Sequence, residues 1–258
     1  MSISMIIAGL LTGLLLGIFG SGGSIITMPS LLYLLDVEPK AAIAMSLGIV
    51  AVTATISALQ HWRHGNVDFR ITAVFGLFGI IGTYAGALVG VITPVVIQLS
   101  VFALVMYVAA WRMLKPKQPL AAAGISELKD CPDGNCNLQY GHIAAHGIGV
   151  GILTGIVGVG GGFLIVPALV LLSGLSMKKA IGTSLSIVAL KSFAGFAGYA
   201  GAVSIDYSMM AMFTAIAIVG SLIGSQVGDK LPADLLKKGF GRFLVLVASY
   251  ILIESVLF

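Results

Sequence analysis

Lys191 is the residue in this sequence best placed to do chemistry. It lies in the run SLSIVALKSFAG, near the centre of an apolar segment covering 180–203. A lysine at that depth in an apolar span is costly and by default functional, either holding an anion or carrying a proton. The other reading is a structural ion pair, but no acidic residue lies at comparable depth. Hydroxyls surround it in sequence. Ser46 and Ser184 occupy matching places about one and a half turns into their segments, and Thr183, Ser186, Ser192, Thr53 and Thr55 lie on the same two segments. A hydroxyl can donate to a sulfonate or carboxylate oxygen. It can also bond across helices or back to its own preceding turn.

Two glycine clusters supply a second kind of chemistry. GIFGSGGSIITMP, residues 17–29, contains Gly20, Ser21, Gly22 and Gly23. GIVGVGGGFLIVP, residues 155–167, contains Gly158, Gly160, Gly161 and Gly162. Glycine weakens a helix and an interior proline breaks one. Each cluster therefore predicts a broken helix, with free backbone N–H groups at the start of its second piece. Those amides and the helix dipole favour an anion. Irregular backbone at membrane depth is tolerated where protein or a water-filled cavity covers it, so the clusters are expected to line a substrate path. The same glycines could instead serve close helix packing. GVGGGF (158–163) misses the dinucleotide fingerprint and lacks its strand–helix setting.

The remaining reactive residues make weaker groups. His61 and His64 flank Trp62 and Arg63 in QHWRH, which suits an interfacial anchor. His142 and His146 have the i, i+4 spacing of metal ligands, but no glutamate completes a zincin motif. Asp68 and Asp206 precede apolar segments and are expected to cap them. Cys131 and Cys136 bracket a turn-forming PDGN in a polar loop, the wrong spacing for CxxC redox chemistry. No P-loop, GxSxG or HExxH is present. The expectation is no enzyme, no cofactor and no bound metal. A metal-cation carrier is disfavoured too, for want of buried carboxylates.

These residues must be positioned by membrane helices. Of 258 residues, 58% are hydrophobic and 9% charged, against about 25% charged in soluble domains. Apolar segments cover 3–35, 41–62, 71–92, 95–114, 143–175, 180–203, 207–227 and 235–258, several of them long enough to span a bilayer. The net charge of +4 comes from Lys and Arg in short loops, and no nucleic-acid motif accompanies it. The start, MSISMIIAG, reads as a first membrane segment and not as a cleaved signal peptide.

The chain repeats with an offset of 138 residues. Gly17 matches Gly155, Pro29 Pro167, Lys40 Lys178, Ser46 Ser184, Asp68 Asp206, Gly82 Gly220, Gly86 Gly224, Gly90 Gly228 and Pro94 Pro232. If each long first segment crossed once, Lys and Arg would divide almost evenly between the two sides. If each enters and returns, Arg63, Arg70, Arg112, Lys178, Lys179, Lys230 and the other loop cations share one side, leaving Lys40 on the other. The positive-inside rule selects the second arrangement. The expected fold is an all-α polytopic membrane protein of two inverted-topology repeats. Each repeat has a Gly-broken or re-entrant first segment plus three transmembrane helices, and the repeats span 1–114 and 140–258. Both termini lie outside, and the 115–139 linker is cytoplasmic.

The doubled G-x-G-G-x5-P, from Gly20 and from Gly158, followed by AIGTSL at 180–185, resembles the TauE/SafE sulfite exporter family. AIAMSL at 42–47 is a weaker copy of the second element. The resemblance covers nearly the whole chain apart from the 115–139 loop. It implies a permease for sulfur-containing anions such as sulfite, sulfoacetate or other organosulfonates, in a family whose members vary in substrate. The expected function is a secondary transporter of such an anion in the cytoplasmic membrane, working by alternating access with its site at the repeat interface. A permease for another small anion, and a redox-sensing or sulfur-relay protein using Cys131 and Cys136, stand as alternatives. Proton coupling and a homodimer are left open.

Overall fold

The computed structural model describes residues 3–20, 23–114, 140–157 and 175–232 throughout, and scattered positions between 162 and 169 and between 235 and 249. Among the described residues the chain is helical, with no strand. Helix α1 is Ile3–Phe19 and α2 is Gly23–Pro29, continued by a π-helical turn at Ser30–Leu34. Then come α3 (Pro39–Arg63), α4 (Phe69–Ile92), α5 (Val95–Leu114), α6 (Tyr140–Val157), α7 (Met177–Ala200) and α8 (Tyr207–Lys230). Four of these, in α3, α4, α7 and α8, are long and apolar enough to cross a membrane. The surface suits lipid: Ile3, Ile7, Trp111, Val219 and Ile223 are all exposed.

The sequence explains where helices start and stop. Pro39 opens α3, where a missing N–H costs nothing. Asp68 caps α4, accepting from the Arg70 and Ile71 amides at 3.0 and 3.1 Å, and its repeat mate Asp206 caps α8 through the Met209 amide. Asp68→Ala should cost about 1 kcal/mol, read as a lower melting temperature of purified protein. Helix α1 ends at Gly20, whose φ of +69° is the left-handed conformation glycine adopts without strain. The Gly20 amide donates to Leu16 O at 2.8 Å. Pro29 lacks an amide for α2, and the chain passes into the wider π turn there.

The first segment folds back on itself. Gly23 lies against Thr12 and Leu16 of α1, and Leu31 shares a buried cluster with Met5 and Ala8. The hairpin's second arm therefore ends near the start of its first. A loop bond closes it, Val37 N–H to Leu31 O at 3.0 Å. The 138-residue mate of this bond, Leu175 N–H to Leu169 O at 3.3 Å, is also present. The rest of the second long segment lies almost wholly outside the described residues.

Helix pairing crosses between the halves. Gly13 and Gly17 of α1 press on the carbonyls of Ala217 and Ser221 in α8, and Gly220 and Gly224 of α8 press on those of Leu10 and Leu14. Add 138 to α1 and subtract it from α8, and the second interface appears. Gly151 and Gly155 of α6 press on the carbonyls of Gly79 and Thr83 in α4, and Gly82 and Gly86 on those of Ile148 and Ile152. Both pairs run parallel. Without side chains at the seam the backbones pack closely, which is what drives helix association in lipid. Helices α3 and α7 form the centre and cross antiparallel: Gly182 meets His61 and Asn66, whereas Gly195 meets Leu47.

Candidate functional site

Lys191 sits between those two crossing contacts. Its neighbours Ile187 and Val188 share a buried cluster with Val50 and Ala54, so it is level with the turn of α3 that carries Thr53. Lys191 is fully buried, and a Cβ on Gly79 of α4 would lie 2.8 Å from its Cδ. The missing side chain at Gly79 is what lets the lysine stem run through the packed interior. Its Nζ has no hydrogen-bond partner among the described residues, and neither does the Oγ of buried Ser192 beside it. An ammonium taken out of water costs several kcal/mol unless a charge answers it. Helices α1 to α7 carry no acidic residue, so the opposite charge is not supplied by them.

The other expected site residues form two groups at different depths. At one end of α7, Ser184 Oγ lies 3.1 Å from Gly20 O and 3.0 Å from Ile181 O. Gly20 itself packs on Ile181. The tip of the first hairpin thus rests on the start of α7, about 10 Å along the helix from Lys191 at ~1.5 Å per residue. At the other end Ser46, whose Oγ donates to Ile43 O at 2.9 Å, adjoins Leu47, the neighbour of Gly195. The paired serines therefore lie about 16 Å apart along the crossing by the same rise. Back-bonding also engages Thr53, Thr55 and Ser186, through Ile49, Ala51 and Gly182 carbonyls. Gly23 and Gly162 are buried helical positions. Ser21, Gly22, Gly158, Gly160 and Gly161 lie outside the described residues, as do Cys131 and Cys136 and the side chains of His142 and His146.

The two ends of the α3–α7 crossing differ. Near the start of α7, Thr183 Oγ1 accepts the Asp68 amide at 3.0 Å, and Gly182 packs on the Asn66 carbonyl. The α3–α4 connection is thereby sealed onto α7. Near the start of α3, Val37, Glu38, Ala41, Met45, Ser204, Ile205 and Asp206 line a cavity of about 330 Å3. Met45, Ser204 and Asp206 are the repeat mates of Thr183, Asn66 and Asp68. Equivalent surfaces touch at one end and stand apart at the other. Lys40, beside the cavity, donates to Val91 O at the end of α4, a favourable place for a cation.

Two residues that sequence reasoning passed over converge nearby. Gln98 Nε2 donates to Gly90 O and to Ile156 O, each at 2.8 Å, and Tyr199 OH lies 3.2 Å from both Gly155 O and Ile156 O. Gln98 is the single amide side chain in the apolar run of α5, a signal that could have marked it.

A family model described as sulfite exporter TauE/SafE matches residues 5–251. A probable membrane transporter protein of Xylella fastidiosa (strain Temecula1 / ATCC 700964) is 31% identical over 253 residues, covering 96% of this chain and 94% of that one. The probable membrane transporter protein YunE of Bacillus subtilis (strain 168) is 27% identical over 267 residues, covering 96% and 93%. A probable membrane transporter protein of Methanocaldococcus jannaschii is 24% identical over 264 residues, covering 96% and 94%. No solved structure matches the chain.

Proposed function

Because this chain belongs to the TauE/SafE sulfite exporter family and is a membrane transporter, we propose that it carries sulfite or a related sulfur-containing anion by alternating access between two inverted repeats. The pairing of α1 with α8 and of α6 with α4, reproduced residue for residue at an offset of 138, supports the repeats. The antiparallel α3–α7 crossing and the returning first hairpin support the inversion. In this topology the termini and the 330 Å3 cavity face outside, and the 115–139 linker and the Thr183–Asp68 contact face the cytoplasm.

The observation that carries the reading is Lys191, an amine held at mid-depth with no protein partner among the described residues. It is the counter-charge for the anion. Gly20 and Gly23 with Thr183 and Ser184 flank the path on the cytoplasmic side. Ser46 flanks it on the outer side, and the repeat in the sequence assigns the second glycine cluster, Gly158–Gly162, to the same site. The anion loads when the Thr183–Asp68 contact parts, pairs with Lys191, and leaves through the cavity as the cytoplasmic end reseals. A negative interior contributes about 2.3 kcal/mol per charge per 100 mV towards exit. Glu38 and Asp206 at the outer mouth disfavour the anion's return.

Counterflow of sulfite, sulfate, thiosulfate, methanesulfonate and acetate in proteoliposomes, with and without a pH gradient, tests the substrate and the coupling. Paired cysteine probes test the mechanism. In Ser204→Cys the thiol should label from outside and become protected as Asn66→Cys becomes reactive on turnover. Simultaneous labelling of both, unchanged by substrate, would contradict alternating access.

A further inference from the structure

The end of α6 is fastened from outside its own backbone. A helix broken in a membrane leaves its last carbonyls without donors, and each such group costs several kcal/mol in an apolar surround. Gly155 and Ile156 carry two of the last four carbonyls of α6. Gln98, at the start of α5, donates to Ile156 O and at the same time to Gly90 O at the end of α4. Tyr199, at the end of α7, brings its hydroxyl to both Gly155 O and Ile156 O, and Gln98 Nε2 lies 3.4 Å from that hydroxyl. Both side chains are almost wholly buried, and a Cβ on Gly90 would collide with the Tyr199 hydroxyl. Four helix ends therefore meet in one polar knot. Gln98 Oε1 has no donor among the described residues, so the amide spends both its N–H groups on carbonyls of helix ends.

The repeat does not supply this knot twice. The 138-residue mates of Gln98 and Tyr199 are Leu236 and His61, neither of which offers an amide or a phenol. We propose that Gln98 and Tyr199 are positioning residues, which fix the last turn of α6, so that this wall of the anion path is pre-organised. The proposal rests on the transport reading above for its functional meaning, and on the hydrogen bonds alone for its structural one. Holding a binding wall in its bound geometry reduces the ordering cost of association, so the effect falls on affinity more than on turnover.

The test uses Gln98→Leu and Tyr199→Phe in the full chain, with two readouts. Deuterium uptake of backbone amides over the last two turns of α6 should rise at least tenfold in Gln98→Leu and less in Tyr199→Phe, which keeps the Gln98 bond to Ile156. Uptake over the last two turns of α1 should not change. In sulfite counterflow the KM should rise about tenfold in Gln98→Leu with Vmax within threefold. Unchanged uptake at the end of α6 overturns the proposal. So does an equal rise at both helix ends, which is general loosening, and so does an unchanged KM. If the wild-type protein carries no sulfite, the substrate reading fails, and the α6 exchange difference still decides whether the knot positions that helix end.

Discussion

Lys191→Met is expected to lower sulfite flux in proteoliposomes about 100-fold while leaving the protein as stable as before or more so. Methionine keeps the length of the stem that lies along Gly79 and removes only the charge. A hundredfold loss corresponds to ~2.7 kcal/mol at about 1.4 kcal/mol per factor of ten. That is the size expected for one desolvated charge pair, typically ~2–5 kcal/mol when one partner is truncated. Stability moves the other way because the resting protein no longer buries a polar amine that has no partner among the described residues. A purely structural lysine would give the reverse pattern, with a lower melting temperature and flux falling only in step with folded protein. Lys191→Arg should retain part of the flux, since the charge stays but the broader guanidinium must fit beside α4. Full flux in Lys191→Met removes Lys191 from the mechanism.

Gly155→Leu and Gly17→Leu are expected to abolish the folded state, with no monodisperse peak on size exclusion in mild detergent. A Cβ at Gly155 would run into the Thr83 carbonyl, and one at Gly17 into the Ser221 carbonyl, so the added carbon meets backbone that cannot rotate away. Overpacking typically costs about 1–3 kcal/mol. Here the cost exceeds that range, because forcing the helices apart also loosens the neighbouring glycine contacts along the same seam. Gly149→Leu is the control: it lies on the same helix as Gly155, and a Cβ there meets nothing within 4 Å. Equal behaviour of the three variants would mean that the seams do not hold the helices together.

The features legible in the sequence were those written as local chemistry. Glycine followed by proline predicted a broken helix within 17–29, and the break falls after Phe19, where Gly20 supplies it through its positive φ. Asp68 and Asp206 were expected as caps and cap their helices. The central lysine was visible because a charge in an apolar run has few bland explanations. Depth was harder. Ser46 and Ser184 match at the 138-residue offset in the sequence, yet they lie towards opposite ends of the α3–α7 crossing. Thr183 was read as a ligand; its hydroxyl accepts the Asp68 amide and keeps its own proton to donate. The four-residue glycine ladders at 9–17, 82–90, 147–155 and 220–228 were present in the sequence and mark helix seams. Their partners could not be read, because spacing within one helix carries no address for the other. Gln98 and Tyr199 escaped because an uncharged polar side chain in an apolar run has bland explanations that a lysine lacks.

The exchange of first helices between the halves also bears on how the chain is made. Helix α1 leaves the ribosome before the other described helices, yet the surface its glycine ladder fits is on α8, which follows all of them. Contacts this distant in sequence are slow to form. Until α8 arrives, α1 carries an unmatched row of small residues in the bilayer, where it must wait among other nascent segments. Helix α6 has no such delay, since α4 is already inserted when it emerges. Assembly is therefore ordered in time although the finished seams match, and chains truncated before α8 should be recognised by membrane quality control while their α4–α6 seam is already closed.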